Sequence, residues 1–200
     1  MEDPHFAQSQ HLTQSIVDEL ISQMTTSAGW HSIGSKDGFE GFNIPRDGPQ
    51  IVKVIGFIDR PAQTIREYIW ENSNKKKWDE SNKHSTIVKT FSPNLRILHE
   101  ETNAPWPVSN RDSVIAQAWV ERSDGFLIIG KSIPGVVPDV NGVIRAEVII
   151  QGTYLQRETD TRTKITMLGS IDPKGSIPNM VIKKMSKKQI DKLLAMKKSL

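Results

Sequence analysis

Cysteine is absent from all 200 residues of the chain. Thiolate catalysis, cysteine-based zinc sites and disulfide frameworks are therefore excluded, and the absence fits a reducing cytosol. Long apolar runs are missing as well, since none approaches the roughly 20 residues needed to span a bilayer. The first ten residues, MEDPHFAQSQ, have neither the basic nor the apolar region of a signal peptide. We therefore predict a cytoplasmic protein.

Catalytic and metal-binding motifs are also lacking. Neither G-x-S-x-G, H-E-x-x-H nor a paired metal-ligand spacing occurs, and the five histidines are scattered at positions 5, 11, 31, 84 and 99. The sequence therefore predicts no catalytic residue, no metal site and no cofactor. Glu101 with His99 is the remaining acid and base pair for a hydrolase or cyclase, and it is a poor one.

One stretch, GFLIIGKS from Gly125 to Ser132, fits the phosphate-loop pattern G-x-x-x-x-G-K-[ST]. A phosphate loop needs a helix that begins at the Lys-[ST] pair, because the helix N-terminus completes the anion site. Here the four variable residues are strand formers, and Pro134 and Pro138 follow at once. We interpret the stretch as a strand followed by a loop, without a nucleotide.

Composition and periodicity predict the fold class. With 36% hydrophobic and 24% charged residues, the chain is typical of one soluble domain over residues 1–200. Apolar spacing predicts a helix from about 9 to 27, and Pro61 begins another that runs to about 71. Strand-like runs occur at 30–35, 39–44, 51–58, 86–91, 96–102, 113–121, 126–132, 143–159 and 164–171. Because short turns join many of these runs, they pair antiparallel in an α+β domain.

The positive charge is concentrated at the C-terminus. From Lys174 onward, eight lysines and one acid carry +7, which leaves −4 on the rest of a chain whose net charge is +3. A last helix after Pro178 has an apolar side that includes Met185, while Lys184 and Lys188 stack one turn apart on another side. Such a face either meets phosphate groups or is solvated. It lacks the interleaved aromatics of a base-stacking surface, so we expect no nucleic-acid partner.

Two predicted strands mix polar and apolar residues at alternate positions. One set is Ile97, His99 and Glu101, and the other is Ser113, Ile115, Gln117 and Trp119. An apolar pocket that orients a polar head group needs such a mixture, but a solvent-facing side has it too, and alternation alone does not decide. Between the strands, Trp106 lies in a proline-flanked loop, where it either packs onto the domain or enters a membrane interface.

Four segments together resemble the StAR-related lipid-transfer, or START, domain family. They are KKKWDES at 75–81, APWPVSNRDSV at 104–114, GVIRAEVIIQGTYLQ at 142–156 and DPKGSIPNMVI at 172–182. The resemblance covers about residue 29 to the C-terminus. It implies the helix-grip fold, in which a curved antiparallel sheet wraps around a long C-terminal helix and encloses a hydrophobic cavity. The parts would be an N-terminal helix within 1–28, a sheet with short helices over 29–176 and a lid helix over 177–200.

The resemblance also implies site residues, matched position by position. Lys75 and Asp79 correspond to places that contact the head group in phospholipid and ceramide carriers. Glu101 and Gln117 fall where sterol-type members place an acid and a base, although the glutamine here rules out a buried ion pair. The remaining expected lipid contacts are His99, as a hydrogen-bonded wall residue, with Ile149, Gln151, Met167 and Met185.

A carrier rather than an enzyme is the function that the resemblance implies. We expect a monomer, peripheral to membranes, that binds one lipid in the tunnel and transfers it between bilayers. The lipid would be a sterol, a phospholipid or a sphingolipid. The loop of Trp106 and the last helix, with Lys184 and Lys188, would contact the membrane. The alternative is a lipid sensor that regulates a partner without transferring its ligand.

Overall fold

The computed structural model describes residues 3–106 and 108–200, apart from the side chain of Asn179. Its N-terminal segment contains two helices, α1 (Pro4–Gln14) and α2 (Val17–Thr25), instead of the single predicted helix. The carboxylate of Asp3 caps α1 by accepting a hydrogen bond from the backbone N–H of His5 at 2.9 Å. The break falls at Ser15 and Ile16 because α1 lies on one part of a curved sheet and α2 on another.

Ten strands form one sheet, as the alternation of apolar residues predicts. The strands are β1 (His31–Lys36), β2 (Phe39–Ile44), β3 (Ile51–Ile58), β4 (Asn82–Ser92), β5 (Leu95–Thr102), β6 (Arg111–Arg122), β7 (Gly125–Ser132), β8 (Ile144–Arg145), β9 (Glu147–Thr159) and β10 (Arg162–Asp172). Their order is β1-β2-β3-β10-β9-β7-β6-β5-β4, and all neighbours in it are antiparallel. The short β8 pairs in parallel with β6 and replaces the start of the predicted strand 143–159.

The phosphate-loop match is strand β7 in full. No helix follows it, because residues 133–143 are irregular. The interpretation of this stretch as a strand and a loop is therefore confirmed. Phe126 and Ile128 point to one side of the sheet and Leu127 and Ile129 to the other, and all four are buried.

Three further helices complete the fold: α3 (Ala62–Trp70), α4 (Lys75–Trp78) and α5 (Asn179–Ser199). The long α5 contacts β1, β2 and β3 on one side and α4 on the other. It starts at the end of the sheet where β10 finishes, and Leu200, which directly follows its last residue, accepts a hydrogen bond from Arg60 at the opposite end. Helix α5 therefore runs along the concave face of the sheet, and the predicted helix-grip architecture is confirmed.

Both faces of the sheet are covered by apolar side chains. The concave cluster joins α3, α4 and α5 to the sheet through residues such as Ile65, Trp78, Leu155, Ile165 and Leu193. The convex clusters join the two N-terminal helices to it through residues such as Ile16, Leu20, Ile129, Ile150, Ile97 and Val114. On the convex side α2 sits directly on Gly152, where a Cβ atom would lie 2.9 Å from the side chain of Leu20.

Candidate functional site

A row of small and amide side chains crosses the floor of the concave face. Gln151 pairs with Gly130 on β7 and with Gly169 on β10, so one glycine flanks it on each side. A Cβ atom at Gly130 would lie 2.9 Å from the side-chain nitrogen of Gln151 and 3.1 Å from Ile115. At Gly169 the nearest atoms to a Cβ would be 3.9 Å away. The two glycines therefore leave space around the amide of Gln151.

The same row continues to Gln117 and Arg96, which pair across β6 and β5. The side-chain oxygen of Gln117 accepts a hydrogen bond from Nε of Arg96 at 2.9 Å. The guanidinium group of Arg96 also donates to the carbonyl of Trp70 and lies 3.9 Å from the centre of that indole ring. Burial lowers the pKa of Arg96 to about 10, although Glu100 acts in the opposite direction. Gln117 is thus held in place by a buried cation.

The concave side is less completely covered than the convex side near the start of α5. Along β9 and β10, the convex-facing Ile150, Tyr154 and Leu168 are buried, while the concave-facing Gln151 and Met167 are only half-buried. Met185 on α5 is half-buried as well, and so is Ile149, which has no partner on β10 because the pairing is irregular there. The half of the interior beside α3 is densely packed instead. The region beneath the first half of α5 is therefore less tightly packed than the rest of the interior, and we take it as the candidate groove.

Lys75 and Asp79 lie in a group of charges between β5 and α5. The ammonium of Lys75 is 3.4 Å from Glu100, and Asp79 accepts a hydrogen bond from Lys192 at 2.8 Å. Burial acts to raise the pKa of Asp79, but Lys192 and Lys75 outweigh it and hold that pKa below its usual value. The structure thus brings the two predicted residues together and adds Glu100 and Lys192, which the sequence interpretation missed.

His99 and Glu101 do not share the face of Gln117, so the expectation that all three line one tunnel is wrong. His99 pairs with Val114 of a convex cluster, and its Nε2 lies 2.8 Å from Asp112. Glu101 accepts hydrogen bonds from Lys83 and Asn110, which lower the pKa of its carboxyl group. In β5 the concave-facing residues are Arg96, Leu98 and Glu100. His99 and Glu101, the poor candidate for an acid and base pair, therefore lie on the opposite face of the sheet from the candidate groove.

Exposed apolar side chains gather at the end of the sheet where α5 begins. Trp106 is 92% exposed, Met180 79% and Ile171 46%. Lys184 is exposed, whereas Lys188 forms an exposed ion pair with Glu80 at 2.8 Å. Pro107, beside Trp106, lies outside the described residues. In the described parts of the chain, no helix is long and apolar enough to cross a membrane, and no cluster of three potential metal ligands occurs.

The family model described as START domain matches residues 11–198. The chain belongs to the START domain family. Mouse START domain-containing protein 10 is 28% identical to it over 176 residues, which make up 82% of this chain and 58% of that protein. Mouse phosphatidylcholine transfer protein is 23% identical over 172 residues, or 82% of this chain and 79% of that protein. The START chain thus spans little more than half the length of the first of these relatives.

Solved structures of START proteins have the same fold. Human StAR-related lipid transfer protein 5 superposes on this chain with a TM-score of 0.87 at 15% identity, covering 96% of each chain. This likeness establishes the helix-grip architecture. The row of residues from Gly169 to Arg96, the charges around Asp79 and the exposed apolar side chains near the start of α5 are observed in this START chain itself.

Sequence reasoning missed Arg96, Glu100 and Lys192 for different reasons. Arg96 and Glu100 belong to the alternating set of β5 that does not contain His99 and Glu101. The signal that could have found them is the wholly apolar set Val114, Ala116 and Ala118 on β6, which marks the face covered by α1. Lys192 pairs with a residue 113 positions earlier, and no local pattern reveals such a contact.

Proposed function

We propose that this START domain binds one lipid in the groove beneath α5 and transfers it between membranes. The observation that carries the proposal is the incomplete cover on the concave side, where Met167, Met185 and Ile149 stay half-buried around the amide of Gln151. A core would fill this space, whereas a lipid site needs apolar walls and a few polar groups. The names of the relatives support the choice of ligand, since one of them transfers phosphatidylcholine.

The polar groups of the groove would meet the head group of the lipid. Gln151 offers both a donor and an acceptor between two glycines, and Gln117 keeps its amide nitrogen for a ligand because its oxygen is bound to Arg96. Lys75 and Asp79 are engaged with Glu100 and Lys192, so they would contact a ligand only from the side wall of the groove. His99 and Glu101 would support the loop of Trp106 from outside.

Transfer requires that the groove open at a membrane, and the structure favours the first half of α5 for this step. Its second half is fixed by Leu193, Leu194 and Met196, which are all buried. The first half carries the exposed Met180, and Trp106 is exposed at the same end of the sheet. An indole and a thioether side chain are favoured at a membrane interface over water. Lys184 would then face anionic head groups. The carrier would be a monomer in the cytoplasm that is peripheral to membranes.

The thermodynamic need for a carrier follows from the ligand. Each methylene group moved from water to an apolar site contributes about 0.8 kcal/mol. A long acyl chain therefore leaves a bilayer for water very slowly, and a groove that covers it removes most of that barrier.

The test is a series of substitutions at Gly169 with two measurements. The purified protein is incubated with vesicles of phosphatidylcholine, ceramide and cholesterol, the bound lipid is identified by native mass spectrometry, and transfer to acceptor vesicles is followed by fluorescence. Gly169→Ala should bind and transfer like the unmodified protein, because its Cβ meets nothing closer than 3.9 Å. Gly169→Met should fill the groove and abolish binding.

The outcomes separate the possible functions. Binding without transfer would favour a lipid sensor that regulates a partner. No bound lipid in the unmodified protein, or equal lipid binding by the methionine variant when its melting temperature is unchanged, would overturn the groove as the binding site.

A further inference from the structure

A second hollow lies on the convex face, opposite the groove. It has a volume of about 420 Å³. It lies between the C-terminal end of α2 and the strands β2, β3, β9 and β10, and its lining is Met24, Thr25, Thr26, Ser27, Trp30, Phe42, Lys53, Ile55, Gln156 and Lys164. Lys53 and Ile55 alternate along β3 with Val54, which belongs to the concave cluster. The sheet therefore separates this hollow from the proposed lipid groove.

Lys53 is an unusual residue for the wall of such a hollow. It is only 3% exposed, and its ammonium donates to the carbonyls of Gln23 and Thr26, at 3.1 and 2.9 Å, at the end of α2. The nitrogen also lies 4.0 Å from the centre of the Trp30 ring. Within residues 3–106 and 108–200, no carboxylate lies within 4 Å of it. Burial, helped by the charge of Lys164, lowers the pKa of Lys53 to about 8.

The rest of the lining is also short of negative charge. Lys164 is half-buried and likewise has no carboxylate within 4 Å in the described chain. Glu40 lies on the same face of the sheet, next to Phe42 along β2, but it is exposed and does not line the hollow. Asp124, the other nearby acid, already accepts hydrogen bonds from Tyr154 and Gln156.

Trp30, one of the lining residues, also carries a buried donor. The indole N–H of Trp30 is buried, and no partner for it lies in the described chain. A buried donor without a partner is unfavourable, and its NMR signal is sensitive to changes in its surroundings. The side chains of Phe42, Ile55 and Met24 supply apolar walls, and a volume of about 420 Å³ is within the range of small-molecule sites.

We propose that this hollow binds a small organic monoanion with an apolar body. Its carboxylate would lie between Lys53 and Lys164 beside the indole of Trp30, while an aromatic or short acyl body packs on Phe42 and Ile55. The anion gives a buried ammonium the opposite charge that the chain does not provide. The site is independent of lipid carriage, because it is formed by the other face of the sheet.

The experiment uses 2-naphthoate as the probe and neutral 2-naphthamide, which has the same shape, as its control. Binding is followed by NMR through the indole N–H signal of Trp30, assigned by its loss in Trp30→Phe. We expect 2-naphthoate to shift this signal and 2-naphthamide to bind at least about tenfold more weakly. Lys53→Met should weaken 2-naphthoate by at least about tenfold, and Lys164→Met by a smaller factor.

Further variants keep the test decisive. Because Lys164 is half-buried, Lys164→Met should fold even if Lys53→Met does not, and an unchanged affinity in that variant would overturn the proposal. Equal binding of the two probes would overturn it as well. Gly169→Met, on the concave face, should leave 2-naphthoate affinity unchanged, and a loss there would assign the probe to the groove instead. Normal 2-naphthoate binding by a protein that transfers no lipid would refute only the proposed carriage.

Discussion

Two lysines one turn apart on α5 form ion pairs with the segment that follows α4, and the stabilisation by these two pairs can be compared. Lys192 and Lys188 each lie 2.8 Å from a carboxylate, Asp79 and Glu80 respectively. The first pair is largely buried, with side chains 21% and 8% exposed, and the second is 46% and 79% exposed. The two pairs share the same distance and the same helix, and they differ chiefly in burial, with Lys75 as a second cation near Asp79.

The expected effects of Lys192→Met and Lys188→Met differ severalfold. Removing one partner of a buried pair leaves an uncompensated charge and costs about 3–5 kcal/mol. Lys75 still faces Asp79, so we expect the lower end, about 3 kcal/mol. Breaking the exposed pair should cost less than about 1 kcal/mol. For a chain of this length, the first change corresponds to a fall of roughly 6–12 °C in melting temperature.

Urea denaturation followed by circular dichroism measures both free energies of unfolding. The pH dependence provides a second test. The pKa of Asp79 is lowered in the folded protein, so the stabilisation by Lys192 is fully present above the unfolded value of 3.8 and is lost as the pH falls through the folded value. The difference between Lys192→Met and the unmodified protein should therefore shrink in acid. Equal losses in the two lysine variants at neutral pH would refute the argument from burial.

Three further predictions follow from single residues. Trp106→Ala should weaken binding to anionic vesicles in a sedimentation assay and leave the melting temperature unchanged, because the indole is 92% exposed; a large fall in that temperature would show that the side chain is core. The free energy of unfolding should rise as the pH increases from about 8 to 10.5, because the pKa of Lys53 is lowered in the folded state. Lys53→Met should lack this rise in a urea titration series, and an identical profile would contradict it. Gly56→Ala should lower the melting temperature sharply, because its Cβ would lie 2.2 Å from the ring of Phe39, whereas Gly169→Ala should not; similar melting temperatures would contradict this packing.

The order and type of the elements could be predicted because each depends on local spacing. Antiparallel pairing follows from short turns such as the one after Arg122, and the last helix follows from Pro178 and the apolar residues behind it. The break at Ser15 could not be predicted, since Leu20 and Met24 continue the same periodicity on α2. The curvature of the sheet beneath the two helices decides it.

The candidate site was predicted only in part. Gln151, Met167 and Gln117 lie on the concave face as the resemblance implies. His99 and Glu101 lie on the convex face instead. The sequence could not show this, because β5 is covered on both faces and each of its two alternating sets contains both polar and apolar residues. Alternation distinguishes the interior only when one side meets water. The sheet lies between the N-terminal helices on one face and α3, α4 and α5 on the other. The faces of such a strand can be assigned only when the pairing with a neighbouring strand is known.

The contact of α2 with Gly152 has a consequence for motion in this domain. Because a Cβ atom at Gly152 would lie 2.9 Å from Leu20, the middle of α2 cannot move closer to the sheet at this point. Space for a bound lipid must then come from the concave side, by displacement of α5. A methyl group added at Gly152 would push α2 away from the sheet and weaken the packing of the convex face.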